Sequence, residues 1–163
     1  DKYTWVAAGS SYLPSELNAA YLYAQLEQAQ QVLDDRMRSW NQYYEGLKPL
    51  EEAGCLSLPV VPPECQHNAH MFYIKVKDLQ ERSAMLAYLK EHGVNAVFHY
   101  IPLHTSPAGK VLGRFCGEDR YTTKESERLI RLPMYYGLQE AEVAQVIRVV
   151  QSFYGNKWIS CSA

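Results

Sequence analysis

The apolar residues between Glu16 and Leu47 follow a helical repeat, and this stretch constrains the fold more than any other part of the 163-residue chain. No glycine or proline interrupts the repeat before Gly46. The apolar positions, three or four residues apart, are Leu22, Leu26, Ala29, Leu33, Met37, Trp40, Tyr44 and Leu47. A helix over 16–47 would be roughly 45–50 Å long, which predicts a bridge between two domains or two subunits.

A small-residue loop precedes this helix. Ser15 is suited to cap the first turn, because its hydroxyl can accept from a backbone N–H that has no partner in the helix. Gly9, Ser10 and Ser11 lie just ahead of it and offer further donors. A loop of this kind at a helix N-terminus can hold an anion, most often a phosphate.

The middle of the chain predicts a strand–helix–strand unit. His70 to Val76 alternates as a strand, with His70 on the same face as the apolar positions. Asp78 is placed to cap a helix whose apolar face is Leu79, Ser83, Leu86 and Leu89. Gly93 suits the left-handed residue that ends it, and 94–98 is the second strand.

Two further helices complete the pattern. Thr122 and Glu125 have capping-box spacing, which predicts a short helix. A last helix over 138–154 has Val143, Val146, Ile147, Val150 and Phe153 facing inward. The sum is an α+β fold, in which a small antiparallel or mixed sheet is covered by helices behind a long leading helix.

Composition excludes several classes of partner. The net charge is −2, so no general attraction to nucleic acid or to an anionic membrane is expected. No apolar run is long enough for a membrane span. The four cysteines are widely spaced without a C-x-x-C pair, which favours reduced thiols and a cytoplasmic location.

The segment 99–117 is predicted to be a functional loop with a short helix inside it. Prolines stiffen it, and it presents His99, Tyr100 and His104 beside several hydroxyls. His104 could hydrogen-bond a sugar hydroxyl, a phosphate or a carboxylate, whereas an ordinary exposed loop histidine is the alternative. His67 and His70 point to opposite faces of a strand, so a metal site is not expected and a partly buried His70 is favoured.

Several ordered motifs together resemble the DegT/DnrJ/EryC1/StrS family of sugar aminotransferases. They extend from Tyr3 to about Tyr154, nearly the whole chain. The motifs are Trp5, then Gly9 to Ala20, then Gln25-Leu26-Glu27; His70 to Ile74; Gly93-Val94; His99-Tyr100-Ile101-Pro102-Leu103-His104; and Arg128 to Met134.

The resemblance implies a fold-type I enzyme that uses pyridoxal phosphate. It also implies glutamate as the amino donor and a nucleotide-linked 4-keto-6-deoxy sugar as the acceptor. A lysine of the large N-terminal domain holds the cofactor in such enzymes, and no lysine here lies in that motif. The chain is therefore expected to be the C-terminal portion, inactive alone and paired with an N-terminal large domain of the same protein.

The family also implies a homodimer with shared sites. Residues 1–15 would then be the end of the large domain and an inter-subunit loop, 16–47 the connecting helix, 48–154 the small domain and 155–163 a tail. Ser11 stands where the family commonly has an Asn near the cofactor phosphate, and Tyr12 matches the family aromatic. His104 matches a histidine near the substrate, with Tyr100 and His99 beside it.

A second class of function suits the same pattern. A small sheet covered by helices also occurs in non-catalytic modules that bind small molecules or RNA. RNA binding would require exposed aromatics in an RNP motif and a basic face, and neither is clear in this sequence.

Overall fold

The computed structural model describes residues 12–155, which form two units, one ending at Val32 and the other beginning at Leu33. In the first unit, helix α1 spans Glu16–Leu26, and the Ser15 hydroxyl accepts from the Asn18 N–H at 3.3 Å, as predicted. None of the residues of α1 is buried. Its exposed apolar side chains are Leu17, Tyr21, Leu22, Tyr23 and Leu26.

The helix predicted over 16–47 is found as two helices. A turn at 27–28 separates α1 from α2, which spans Ala29–Glu52. The Gln28 N–H bonds to the Gln25 carbonyl at 3.2 Å, and this tighter i→i−3 step interrupts the α-helical ladder without a glycine or proline.

Helix α2 also continues past Gly46 and through Pro49. A Cβ at position 46 would lie 2.6 Å from Ile147 Cδ1, so Gly46 permits close helix packing rather than ending the helix.

A three-stranded antiparallel sheet forms the centre of the second unit. Strand β1 spans Phe72–Lys75, β2 spans Val97–Phe98 and β3 spans Leu129–Leu132, in the order β1-β3-β2. The strand–helix–strand unit is therefore split, with β3 inserted between its two strands. This confirms the mixed helix and small-sheet architecture, and the sheet is antiparallel.

Helices surround one face of the sheet. Helix α3 spans Leu79–Glu91, and α6 spans Glu140–Tyr154. The core includes Tyr43, Leu47 and Leu50 of α2, Phe72 and Ile74 of β1, Met85 and Leu89 of α3, Ile130 and Leu132 of β3, and Val143, Val146, Ile147 and Val150 of α6. Burial of such side chains, each worth roughly 1.5–3 kcal/mol, holds the second unit together.

Several sequence predictions about helix ends are confirmed and others are wrong. Asp78 caps α3 by accepting from the Glu81 N–H at 2.9 Å, and Gly93 has a φ of 76°. Within α3 the buried residues are Met85 and Leu89, whereas Leu79 and Ser83 of the predicted apolar face are exposed. The register of the helix turns its buried stripe away from those two positions.

Helix α5 spans Thr122–Arg128 and differs from the prediction in its cap. Thr122 is its first residue and makes no capping bond; the carboxylate of Asp119 instead accepts from the Thr123 N–H at 3.2 Å. This carboxylate becomes part of the candidate site.

Candidate functional site

The loop after β2 folds compactly on itself. It contains a 3₁₀ turn at Leu103–Thr105 and helix α4 at Pro107–Leu112, so the predicted short helix is confirmed. Ser106 caps α4 by accepting from the Gly109 N–H at 3.0 Å, and its hydroxyl donates to the Leu103 carbonyl at 2.7 Å. A Cβ at Gly109 would lie 1.7 Å from the Leu103 carbonyl oxygen, so this close approach requires glycine.

His104 belongs to a network of polar side chains at the base of this loop. Its Nε2 lies 2.8 Å from Asp119 Oδ2, and the Thr123 hydroxyl donates to the same oxygen at 2.5 Å. Hydrogen bonds from the Thr123 hydroxyl, the Thr123 N–H and His104 hold the pKa of the Asp119 carboxyl below its ordinary value, with the hydroxyl contributing most. The Asp119 carboxylate therefore holds the His104 ring in position through its Nε2 atom.

An apolar cavity of about 670 Å³ adjoins the ring of His104. The ring of Phe115 packs against that of His104 with centroids 4.5 Å apart. The other lining residues include Leu103, Ala108, Leu112 and Cys116. The His104 ring therefore contacts both an apolar cavity and the carboxylate of Asp119.

His99 and Tyr100 form a second cluster, on the face of the sheet that does not meet the core. Their rings lie 4.2 Å apart, and the guanidinium of Arg131 lies 5.5 Å from the centroid of the Tyr100 ring. Burial lowers the pKa of His99, and the nearby charges of Arg131 and His70 lower it further. The lowered pKa favours the neutral form of His99, which keeps one N–H for donation.

The structure thus divides the predicted substrate residues between two clusters. Among the described residues, no hydrogen bond or ring contact joins His104 to His99 or Tyr100. Of the predicted cofactor residues, Ser11 lies outside the described range, and Tyr12 is 90% exposed in the first unit. Their roles stay predictions.

Two histidines outside the loop have structural surroundings. His67 packs against the ring of Trp40 at 4.3 Å, and its Nδ1 accepts from the Ala69 N–H. The prediction of a partly buried His70 is wrong, because the strand begins only at Phe72 and His70 is exposed. Within residues 12–155, no group of three or more His, Cys, Asp or Glu side chains could hold a metal ion.

Sequence reasoning missed three residues of these clusters: Asp119, Thr123 and Arg131. Asp119 follows an acidic residue in an exposed stretch, and its partner His104 is fifteen positions away. Arg131 did carry a signal, because a charged residue alternating with the buried Ile130 and Leu132 must point to the other face of the strand.

Comparisons with known proteins place this geometry in a family. A sequence model of the DegT/DnrJ/EryC1/StrS aminotransferase family matches residues 1–151. The pleiotropic regulatory protein of Geobacillus stearothermophilus is 31% identical over 106 residues, which are 64% of this chain and 28% of that protein.

Solved structures agree with the fold. A DegT DnrJ EryC1 StrS aminotransferase from Brucella abortus is 26% identical, with a TM-score of 0.71 over 84% of this chain and 35% of that one. DesV of S. venezuelae is 22% identical, with a TM-score of 0.78 over 95% of this chain and 40% of that one. The second of these likenesses supports the fold alone.

NtdA of Bacillus subtilis, solved with its cofactor PMP bound, is 23% identical, with a TM-score of 0.60 over 72% of this chain and 27% of that one. PMP is the aminated form of pyridoxal phosphate, and at this identity the likeness supports the fold alone. The chain spans between 27% and 40% of the length of these four relatives.

The described residues do not by themselves fit a complete pyridoxal phosphate site. In the part of the chain that the structure describes, no lysine lines the cavity beside His104. Lys75 is paired with Glu125 at 3.0 Å, and Lys48, Lys77, Lys90, Lys110 and Lys124 are exposed. The amine that would hold the cofactor is not among the groups around the loop.

No helix among the described residues has the length and apolarity to cross a membrane.

Proposed function

Because this chain belongs to the DegT/DnrJ/EryC1/StrS aminotransferase family, we propose that it is the C-terminal part of an enzyme that transfers an amino group from glutamate to a nucleotide-linked sugar. The match of the family model to residues 1–151 is the observation that carries the proposal. Pyridoxal phosphate, bound in the full-length protein, would supply the chemistry that carries the amino group from the donor to the keto sugar.

The acceptor in this proposal is a dTDP-4-keto-6-deoxy-hexose. This proposal rests on the resemblance of the motifs to those of the dTDP-4-amino-4,6-dideoxygalactose transaminase of enterobacterial common antigen synthesis. The product would then enter surface polysaccharide or lipopolysaccharide synthesis, and the reaction would take place in the cytoplasm.

The domain assignments follow from the same proposal. Residues 1–15 form the end of the large domain and an arm to the partner subunit, and 48–154 form the small domain. The connection over 16–47 consists of α1 and the first part of α2. The unburied apolar side chains of α1 support its burial against the N-terminal large domain or the second copy of a homodimer.

Each predicted site residue has a proposed role. Ser11 and Tyr12 contact the cofactor, and His104, Tyr100 and His99 contact the substrate. The hydrogen bond between His104 and Asp119 supports the role of His104, because it orients the ring beside an open cavity. The chain alone is inactive, because the lysine that holds the cofactor lies in the large domain.

The experiment uses the full-length protein, purified with its cofactor. It should show the absorbance band of lysine-bound pyridoxal phosphate and convert glutamate and the dTDP-keto sugar to 2-oxoglutarate and the amino sugar. His104→Ala should lower kcat/KM for the sugar by about tenfold or more. His92→Ala, at the exposed end of α3, is the matched control. A protein without the band or the transfer would refute the proposal.

The alternative of a non-catalytic module that binds RNA or a small molecule is not favoured by the family match. Tight RNA binding by the full-length protein, without amino transfer, would revive it.

A further inference from the structure

Arg131 lies at the centre of the exposed sheet face. It pairs across the sheet with Tyr73 of β1 and with Val97 of β2. Side chains of directly opposed residues project to the same face, so these three lie together. Ile130 and Leu132, on either side of Arg131, are buried in the core on the opposite face. The backbone at Arg131 is therefore held by the core while its side chain faces away from it.

The guanidinium of Arg131 has no hydrogen-bond partner among the described residues. Its Nε is removed from solvent and still makes no hydrogen bond. Arg128, by contrast, is satisfied, because its Nε donates to the Val76 carbonyl at 2.7 Å. Arg82 Nη1 donates to the Ser126 carbonyl at 2.8 Å, although its Nε, like that of Arg131, makes no hydrogen bond among the described residues. A sequestered charged donor without an acceptor is unfavourable, so an incoming acceptor would be bound there with a gain in free energy.

Among the described residues, no carboxylate forms an ion pair with Arg131. Tyr100 supports the guanidinium with its ring, and His99, stacked on Tyr100, has a sequestered Nδ1 without a partner. His70 is close enough to lower the pKa of His99. Lys75 of β1 is paired with Glu125 at 3.0 Å. Arg131 differs from Lys75 in having no such partner among the described residues.

We propose that Arg131, together with Tyr100 and His99, forms a binding site for an anionic oxygen group of a substrate. This rests on the proposed function, whose substrates offer two such groups: the diphosphate of the nucleotide sugar and a carboxylate of glutamate. A planar guanidinium can donate two parallel hydrogen bonds to either group. The Tyr100 ring lies 5.5 Å from the guanidinium, and His99, stacked on Tyr100, adds a further hydrogen-bonding group.

The test compares Arg131→Gln and Arg131→Lys in the full-length protein loaded with its cofactor. Arg148→Gln is the matched control, because it removes the same charge from the exposed side of α6. The probes are dTDP and glutarate, titrated by calorimetry, and the KM values for the sugar nucleotide and for glutamate are measured separately. Melting temperature and the cofactor absorbance band report whether each variant is folded and loaded.

Arg131→Gln should weaken one probe by about tenfold or more, and Arg131→Lys should weaken it by a smaller factor, because an ammonium cannot make the paired contact. Loss of dTDP binding with a raised sugar KM identifies the diphosphate as the ligand, and loss of glutarate binding with a raised glutamate KM identifies the carboxylate. Arg148→Gln should change neither by more than about twofold.

The proposal is overturned if a folded Arg131→Gln protein binds both probes as the unsubstituted protein does. If that variant does not fold, Arg131→Lys decides: unchanged affinity for both probes overturns the site, and a weakened probe supports it. Failure of the proposed function has a different signature, namely absence of the cofactor band and of amino transfer in the unsubstituted protein.

Discussion

The two polar clusters on and beside the loop after β2 differ in how their charges are satisfied. His104 is tied to Asp119, which is itself bonded twice to Thr123. Within residues 12–155, the guanidinium of Arg131 contacts the ring of Tyr100, and its Nε has no acceptor. The first cluster is completed by its own chain, whereas the second requires an acceptor from elsewhere. The hydrogen bonds of the first cluster stabilise the loop, whereas the unpartnered donor of Arg131 is available to a ligand.

The largest effect on stability should come from a substitution at Gly109, in the loop that carries His104. Gly109→Ala would place a Cβ 1.7 Å from the Leu103 carbonyl oxygen, so the loop must open. We expect the free energy of unfolding of the second unit to fall by about 3 kcal/mol. Urea denaturation measures this, with Gly113→Ala as the control, because its Cβ would have an ordinary 3.5 Å contact. Equal stability of the two variants would contradict the described loop.

A smaller loss of stability is expected from substitution of Arg128, whose guanidinium is hydrogen-bonded within the chain. Arg128→Met removes the hydrogen bond to the Val76 carbonyl and the 3.3 Å contact with Glu125. The expected cost is about 1.5–3 kcal/mol, measured by denaturation of the full-length protein. Arg148→Met, on the exposed side of α6, should change stability little. If the two variants behave alike, Arg128 has no structural role.

The Asp119 network should make stability depend on pH. The folded pKa of Asp119 lies below its ordinary value, so the folded state favours the carboxylate. The stabilisation is complete above about pH 4–5 and is lost as the pH falls through the folded pKa. The melting temperature of the unsubstituted protein minus that of Asp119→Asn should therefore shrink on acidification. Glu118→Gln, an exposed neighbour, is the control; a difference that does not change with pH would contradict the network.

The smallest effect on stability should come from Arg131. Arg131→Met removes a cation that has no hydrogen-bond partner among the described residues, so we expect a melting temperature equal to or above that of the unsubstituted protein. Together with a loss of stability in Arg128→Met, this outcome would show that Arg128 stabilises the fold and that Arg131 does not. A loss as large as that of Arg128→Met would show that Arg131 is part of the folded framework.

Local patterns predicted much of the fold. Asp78 and Gly93 bound α3 as expected, and the inward positions of α6 are buried or partly buried. The interruption at 27–28 was not predictable, because no glycine or proline marks it. In the candidate site, the loop of His99, Tyr100 and His104 could be recognised from its residues. The bond from His104 to Asp119 could not, since it depends on how α5 returns beside the loop.

Strand β3 carries Arg131 between the buried residues Ile130 and Leu132, and this arrangement determines how cooperatively the backbone at Arg131 unfolds. Exchange of the Arg131 amide hydrogen with solvent should require opening of the whole second unit, because Ile130 and Leu132 anchor the strand. The amides around His104 lie on a loop and can exchange through local opening. In mild denaturant, the loop that carries His104 should therefore unfold first. Strand β3, which carries Arg131, should stay folded until the core itself unfolds.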